Sequence, residues 1–289
     1  MLLVELRNSK QNTQKSNFTQ TVLTLVPTPI GNLEDISKRS INSLLEAELI
    51  LCEDTRVTKK LLNLLSQREN LEFECKEFKS FHSHNENQVL KTFTPETFEK
   101  NIVYVSDAGM PCVSDPGASL VQYAIDNNLE YDVLPGANAV LTAFAMSGFP
   151  QSEFTFFAFL PHKGKERKEK LNQVMQSDIL PILYESPHRL LKTLEEINSM
   201  DEQRTVFLAK ELTKLHQKTF KDTAKNLFEK FQNENIKGEW VIIIEPTKFK
   251  GQSLELLDIE NLDIAPKIKA KLLAKMTGKS VKEIYNSFM

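Results

Sequence analysis

The chain has 289 residues, with 36 lysines and arginines against 39 aspartates and glutamates, so its formal net charge is −3. Hydrophobic residues make up 40% and charged residues 26%, an ordinary globular composition that argues against a disordered or fibrous protein. Because the net charge is slightly negative, any contact with a nucleic acid must come from local basic patches. A chain of this length predicts about two domains.

The cysteines and the N-terminus indicate the compartment. Cys52, Cys75 and Cys112 show no CxxC spacing, which argues against a zinc site or a disulfide framework and favours a reducing environment. No apolar run reaches the roughly 18 residues that a membrane span requires, and the first residues lack the apolar core of a signal peptide. We therefore predict a cytoplasmic protein without bound metal or membrane contact, in which residues 1–20 form a flexible extension.

The first part of the sequence alternates short apolar runs with segments of helical periodicity. Strands are predicted at residues 21–26, 49–52, 102–105 and 131–134, and helices at residues 35–48, 57–65, 118–127 and 139–146. Short strands that are apolar on both faces and alternate with helices are typical of a mostly parallel sheet covered by helices.

The second part repeats this alternation. Strands are predicted at residues 154–160, 179–184, 205–208 and 240–244, and helices at residues 167–175, 188–199 and 222–231. The predicted fold class is therefore α/β, with two α/β lobes and a small C-terminal helical unit. The boundaries are an N-terminal lobe at residues 21–136, a C-terminal lobe at 137–247, and a linker with a basic helical tail at 248–289.

Turn-forming and polar residues follow every predicted strand of the first lobe, in loops at residues 27–32, 53–56, 106–117 and 135–138. Ligands of parallel sheets bind beyond the carboxyl ends of the strands, and glycines allow a backbone to approach a ligand closely. Each loop alone could be an ordinary turn, but four at consecutive strand ends indicate a ligand site. The sequence has no GxGxxG and no GxxxxGK[ST], which argues against a dinucleotide site or a P-loop.

Several longer strings are specific when they occur together. They are PTPIGN (27–32), EDTR (53–56), SDAGMPCVSDPG (106–117), LPGANAV (134–140), ESPHR (185–189), AKELTK (209–214) and KGEW (237–240). On these strings, which occur in the family's order, the sequence resembles the bacterial ribosomal RNA small subunit methyltransferase I family, a branch of the tetrapyrrole methylases, and the resemblance covers about residues 21–245.

The resemblance implies a fold, a cofactor and a substrate. S-adenosylmethionine is expected in a cleft between the two lobes of a homodimeric enzyme. The expected reaction is methyl transfer to the ribose 2′-hydroxyl of a cytidine in the decoding region of 16S ribosomal RNA, so the partner is this RNA or the small ribosomal subunit. The implied cofactor-binding residues are Pro29, Ser106, Asp107, Ala108, Gly109, Met110, Asp115, Pro135, Gly136, Ala137, Tyr184, Glu185, Ser186, Glu211, Leu212, Gly238 and Glu239.

A ribose hydroxyl is a poor nucleophile, so a base that takes its proton would help the reaction. The candidates at the expected mouth of the cleft are Glu53, Asp54, Asp107, Asp115, Glu185 and Glu211. Each could instead cap a helix or pair with a nearby cation. We favour Asp54 as the catalytic base, with Arg56 steering a phosphate.

Two segments concentrate positive charge in this otherwise acidic protein. Such runs are often solvated faces, but two concentrated patches favour contacts with RNA phosphates. The expected RNA-binding residues are Lys163, Lys165, Arg167, Lys168 and Arg189 in the second lobe, and Lys269, Lys271 and Lys275 in the tail.

Two other functions remain open. A methyltransferase that acts on a small tetrapyrrole would share the fold and the cofactor, although the basic tail and the ESPHR string argue against it. A non-catalytic RNA-binding assembly factor would lack turnover, although the complete cofactor loop argues against it. Calorimetry with S-adenosylmethionine separates the enzymes from the assembly factor.

Overall fold

A computed structural model describes residues 23–74, 77–247 and 255–287. The predicted extension at residues 1–20, Cys75 and the start of the predicted linker lie outside these ranges. The chain divides into two compact units, Met1–Glu245 and Pro246–Met289. The boundary between lobes that we predicted at residues 136 and 137 lies within the first unit and stays a prediction.

The first sheet has five strands in the order β3-β2-β4-β1-β5, and every neighbouring pair is parallel. The strands are β1 (Leu23–Leu25), β2 (Leu49–Cys52), β3 (Glu77–Ser80), β4 (Ile102–Val105) and β5 (Tyr131–Val133). All residues of β2 and β4 are buried, which explains why these strands were predicted from their unbroken apolar runs. Strand β3 was missed because its sequence is polar and it lies at the edge of the sheet.

The helices that accompany the first sheet are α1 (Lys38–Glu46), α2 (Thr55–Glu69), α3 (Glu86–Leu90), α4 (Ala118–Asp126) and α5 (Ala139–Ser147), with 3₁₀ turns at Leu33–Asp35 and Pro95–Glu99. Three of them, α1, α2 and α5, begin at side-chain caps. Ser37 accepts a hydrogen bond from the Ser40 amide, so α1 starts later than the predicted helix at residues 35–48. Helix α5 packs Val140 and Ala143 against residues of the second sheet.

The second sheet has the order β6-β7-β10-β8-β9. Its strands are β6 (Phe154–Phe159), β7 (Leu180–Glu185), β8 (Thr205–Lys210), β9 (Lys218–Thr223) and β10 (Trp240–Ile244), and its helices are α6 (Gly164–Met175), α7 (Leu190–Met200) and α8 (Ala224–Phe231). The pair β6–β7 is parallel, whereas β7–β10, β10–β8 and β8–β9 are antiparallel. The expectation of a mostly parallel sheet is therefore wrong for this lobe, since the short loop between β8 and β9 cannot make a crossover.

The second unit is helical, as the sequence predicted. It contains α9 (Leu256–Glu260), α10 (Pro266–Thr277) and α11 (Val281–Asn286). Its buried residues form a separate small core made of Ile259, Ala270, Leu273, Ala274 and Ile284. No helix among the described residues is long and apolar enough to cross a membrane.

Candidate active site

A cavity of about 300 Å³ is lined by residues of both lobes. Nine of the residues expected to bind the cofactor line it, namely Ala108, Gly109, Met110, Asp115, Tyr184, Glu185, Ser186, Leu212 and Glu239. Ten further residues line the cavity that were not expected from the sequence, namely Ile30, Val113, Ser114, Asn138, Ala139, Phe159, Pro187, Ala209, Trp240 and Val241. The expected residues that do not line the cavity are Pro29, Ser106, Asp107, Pro135, Gly136, Ala137, Glu211 and Gly238.

The loop after β4 is fixed to the loop after β1. The Thr28 and Gly109 backbones exchange two hydrogen bonds, each 3.0 Å long. Gly109 has a φ of 85°, a conformation that side chains with a Cβ rarely adopt. Ser106 is buried behind this loop, where its carbonyl accepts from the Thr28 hydroxyl at 3.3 Å. Ser106 therefore supports the wall of the cavity without being part of it.

Glu211 supports the opposite wall in the same way. Its carboxylate accepts a hydrogen bond from the Glu239 amide at 2.8 Å, and its own amide donates to the Glu239 carbonyl at 2.9 Å. Lys214 bridges the Glu211 and Glu239 carboxylates at 3.1 and 2.9 Å. A Cβ on Gly238 would lie 2.7 Å from the Glu211 side chain, so this glycine is required for packing. Together these contacts hold Glu239 at the cavity.

Asp54, which we favoured as the base, caps a helix instead. Its Oδ1 accepts from the Arg56 amide at the start of α2 at 2.8 Å, and its Oδ2 accepts from the Arg56 guanidinium at 2.6 Å. These hydrogen bonds lower the pKa of Asp54 to about 2, which makes it a weak base at neutral pH. Neither Asp54 nor Arg56 lines the cavity. The structure thus favours a helix cap and an exposed ion pair for these two residues.

Asp115 has the opposite environment. Burial, together with the nearby carboxylates of Glu53 and Asp107, raises its pKa to about 7. Burial also raises the pKa values of Glu53 and Asp107. Within the described residues, no hydrogen-bond donor reaches the Asp115 carboxylate, whereas Asp107 accepts from the Asp54 amide at 3.1 Å. Asp115 is the carboxylate on the cavity wall that is best suited to take up a proton.

Glu185 is enclosed in a buried ionic network and is not free to act as a base. Its Oε1 accepts from the Ser186 amide and from the Arg189 guanidinium, both at 2.8 Å. Its Oε2 accepts from the Thr193 hydroxyl at 2.6 Å, and that hydroxyl accepts from Arg167 at 2.8 Å. This network holds the Ser186–Pro187 turn at the cavity wall.

Two of the residues that we expected to contact RNA, Arg167 and Arg189, belong to the same network. Arg167 is only 2% exposed and pairs with Glu196 at 2.7 Å, while Arg189 donates to Glu185 and to the Leu160 carbonyl at 2.9 Å. Both guanidinium groups are therefore used inside the lobe. Lys163, Lys165 and Lys168 are exposed, as the hypothesis of a basic surface requires. In the second unit, Lys269, Lys271 and Lys275 belong to α10.

Most of the remaining lining residues are apolar, and all of them except Phe159 and Val241 lie within the strings quoted above. Ala209 and Trp240 were not singled out because they are buried apolar residues of strands, like many residues of the core. Asn138 could have been identified from the sequence, because asparagine just before a helix is a common N-cap. Its side chain caps α5 by accepting a hydrogen bond from the Leu141 amide at 3.0 Å. No group of three or more His, Cys, Asp or Glu residues in the described part of the chain is arranged to hold a metal ion.

Comparison with solved structures shows the fold of the first unit. The chain is similar to diphthine synthase, with a TM-score of 0.59 and 13% identity over 82% of this chain and 93% of that one. It is also similar to uroporphyrin-III C-methyl transferase from Thermus thermophilus complexed with S-adenyl homocysteine. That match has a TM-score of 0.53 and 14% identity over 76% of this chain and 96% of that one.

Sequence comparisons find relatives of much higher identity. The family model of Tetrapyrrole (Corrin/Porphyrin) Methylases matches residues 22–227. A protein of Helicobacter pylori named ribosomal RNA small subunit methyltransferase I is 46% identical over 91% of this chain and 96% of its own length. A Campylobacter fetus protein of that name is 46% identical over 93% and 100% of the two chains. The chain therefore belongs to the ribosomal RNA small subunit methyltransferase I family of the tetrapyrrole methylases.

Proposed function

We propose that this protein transfers a methyl group from S-adenosylmethionine to the 2′-hydroxyl of a cytidine in the decoding region of 16S ribosomal RNA. The observation that carries the proposal is the cavity between the lobes, with Asp115 on its wall, in a chain 46% identical to proteins named as ribosomal RNA methyltransferases. The specific strings on which the chain resembles this family, such as ESPHR at residues 185–189, support an RNA substrate over a tetrapyrrole.

The cavity fits the proposed cofactor. Its volume lies at the lower end of the roughly 300–1,000 Å³ that is typical of small-molecule sites. Leu212 and Val241 offer an apolar wall for the adenosine, and the backbone at residues 108–110 approaches the cavity at a glycine. These residues would hold the cofactor.

Asp115 takes the role that we first assigned to Asp54. When bound, S-adenosylmethionine supplies a methyl group on a positively charged sulfur, which keeps the electron pair of the broken carbon–sulfur bond as the ribose oxygen bonds to carbon. Asp115 accepts the proton of the 2′-hydroxyl. Its pKa of about 7 lies near neutral pH, where a general base is most effective.

Transfer to the ribose can be measured directly. Small ribosomal subunits from a strain that lacks this protein are incubated with the purified protein and labelled S-adenosylmethionine, and the RNA is mapped by mass spectrometry. We expect one methyl group on the ribose of a decoding-region cytidine, and the same rate with a chelator present. Methylation of a base, or loss of activity with the chelator, would contradict the proposal. Transfer to a tetrapyrrole, or cofactor binding without any transfer, would favour one of the other two functions.

Exposed lysines outside the cavity would contact the RNA. The protein acts as a homodimer in the cytoplasm, with the exposed Lys163, Lys165 and Lys168 near RNA phosphates. On α10, Lys267, Lys271 and Lys275 follow each other at intervals of four and share one helical face. Lys269 differs, because its ammonium group donates to the Glu260 carbonyl at 2.7 Å.

Replacing Lys267, Lys271 and Lys275 together with glutamine should weaken RNA binding. We expect the slope of log affinity against log salt to fall by about 0.7–0.9 for each lost phosphate contact, because fewer counterions are released. The measurement is a salt titration of the affinity for small subunits, with cofactor calorimetry beside it.

A matched control removes the same charge elsewhere. Lys38, Lys60 and Lys91 are exposed lysines scattered over the first lobe, and their triple glutamine variant should keep the wild-type slope. Equal slopes for both triple variants and the wild type would make the α10 face a solvated surface. Loss of cofactor binding in the α10 variant would mean that this helix supports the first unit.

A further inference from the structure

Phe159, the last residue of β6, exposes half of its ring at the cavity. Its exposure is 50%, which is large for a phenylalanine in a chain that buries most of its apolar side chains. The same residue lines the cavity. An aromatic ring that is left open beside a ligand site is available to a ligand.

The backbone of β6 is distorted where it presents this ring. The pairing of β6 with β7 shifts register between Phe156 and Phe159. Ala158 has a φ of 54°, a left-handed conformation that an alanine rarely adopts. In a regular strand, Phe157 and Phe159 would share a face. Phe157 packs against the main core of the second lobe, whereas the shift turns Phe159 to Tyr184 on the other side.

Neighbouring groups fix the position of the Phe159 ring. Its centroid lies 5.6 Å from that of Tyr184, which in turn lies 4.9 Å from that of Phe156. The guanidinium carbon of Arg189 lies 5.9 Å from the Phe159 centroid. Arg189 is itself held by Glu185 and by the Leu160 carbonyl. The ring is thus prepared before any ligand arrives, which reduces the entropic cost of binding.

We propose that Phe159 is a stacking platform for a nucleobase of the RNA substrate beside the ribose that is methylated. This inference rests on the proposed function and names a further contact with its substrate. Base stacking on an aromatic ring, combined with nearby positive charge, is how proteins bind single-stranded nucleic acid. The ring of Phe159 supplies the aromatic surface, and positive charge follows it closely in the chain, since Lys163 and Lys165 are exposed.

The cofactor's adenine is the competing occupant of the ring. The cavity offers the adenine a more closed apolar environment at Ala209, Leu212 and Val241, all of which are buried. Phe159 is much more exposed than these residues and is therefore accessible from solvent, as a contact with a large second substrate requires. If an RNA base occupies the ring, a substitution at Phe159 should weaken the use of RNA and leave cofactor affinity unchanged. If the adenine occupies it, the substitution should weaken cofactor affinity.

The test compares Phe159→Leu, which removes the ring, with Phe159→Tyr, which keeps it. For methylation of small ribosomal subunits, we expect Phe159→Leu to raise KM about tenfold, and Phe159→Tyr to leave it near the wild-type value. Cofactor affinity, followed by the fluorescence of Trp240, should be the same in both variants, because this single tryptophan lines the cavity. Tyr131→Leu is the control. Tyr131 is 39% exposed and is the first residue of β5, so it lies at the end of the strand away from the loop at residues 135–138. This variant should leave both KM and cofactor affinity unchanged.

A second measurement does not depend on catalysis. A single-stranded decoding-region RNA with 2-aminopurine beside the target cytidine should lose fluorescence on binding to the wild type with S-adenosylhomocysteine, and less on binding to Phe159→Leu. Unchanged KM and unchanged quenching in Phe159→Leu would overturn the platform, as would a loss confined to cofactor affinity. Quenching that depends on Phe159 without any RNA methylation would keep the platform and overturn the proposed function. Neither quenching nor methylation by the wild type would overturn both.

Discussion

Replacing Asp115 with asparagine should lower kcat by about 10²–10⁴-fold while the protein still binds S-adenosylmethionine. Asparagine has nearly the same shape as aspartate but cannot accept a proton from the ribose hydroxyl. Asp115 is the suitable residue because it lines the cavity, lacks a donor among the described residues and has a pKa raised to about 7 by burial. Single-turnover methylation of small subunits and cofactor calorimetry measure the two effects separately.

The role of Asp115 as a base also predicts how the methylation rate depends on pH. Since Asp115 must be ionised to accept a proton, the wild-type rate should rise with pH through about 7, and the residual rate of Asp115→Asn should lack this rise. Asp54→Asn is the matched control, because asparagine caps a helix as well as aspartate does. We expect Asp54→Asn to keep most of the activity and the pH profile. The reverse result, with Asp54→Asn inactive and Asp115→Asn active, would restore the assignment made from the sequence.

The same substitution should stabilise the fold at high pH. The pKa of Asp115 is higher in the folded protein than the ordinary aspartate value of 3.8, so the folded state keeps its proton to a higher pH than the unfolded state. The ionised carboxylate therefore reduces stability above pH 7, and this cost disappears as pH falls towards 4. We expect Asp115→Asn to gain about 1–2 kcal/mol at alkaline pH, less than the full shift because solvent screens a partly exposed group. A lower Tm than the wild type at that pH would contradict this account.

Gly109→Val should abolish measurable binding of S-adenosylmethionine. Gly109 lines the cavity with a φ of 85°, and a Cβ there would lie 3.2 Å from Ile30. A β-branched residue in this conformation must shift the loop, which the two hydrogen bonds to Thr28 otherwise hold in place. Calorimetry measures the affinity, and circular dichroism with thermal unfolding shows whether the variant is folded.

Gly148→Val is the control for Gly109→Val, because it also places a valine at a positive φ but lies outside the cavity. Gly148 has a φ of 61° at the end of α5, and no atom lies within 4 Å of the position that its Cβ would take. Both variants should lose stability by about 1–2 kcal/mol, since valine disfavours a positive φ. Only Gly109→Val should lose cofactor binding. Wild-type affinity in folded Gly109→Val would show that the loop after β4 is not the cofactor site.

The sequence predicted the buried strands of the fold better than its edges. The runs that became β2 and β4 are apolar on both faces, and burial explains both their composition and their detection. The edge strands β3 and β9 were missed because Glu77, Lys79, Lys218 and Lys221 make them polar, as edge strands often are. Alternation of strands and helices favours parallel strands, so it predicted the wrong direction for the antiparallel pairs of the second lobe.

Within the site, local motifs predicted loops but not the roles of single side chains. Arg167 looked like part of a charge run, yet its spacing to Leu171 and Val174 is that of one helical face, and all three are buried. Asp54 stands just before a helix, which is the pattern of a cap. The burial that raises the pKa of Asp115 comes from distant segments, so the sequence could not distinguish this carboxylate from its neighbours.

The order of strands in the first sheet has a consequence for folding during synthesis. Strand β1 leaves the ribosome first, but its two partners, β4 and β5, are made much later, and Leu23 pairs with both Ile102 and Tyr131. These contacts are far apart in sequence, and such contacts form slowly. Strand β1 therefore stays without a native partner until β4 has emerged, and both of its edges are paired only after Val133 has emerged. In the second lobe, by contrast, β8 meets β9 through a short loop, so this hairpin can form soon after its own synthesis.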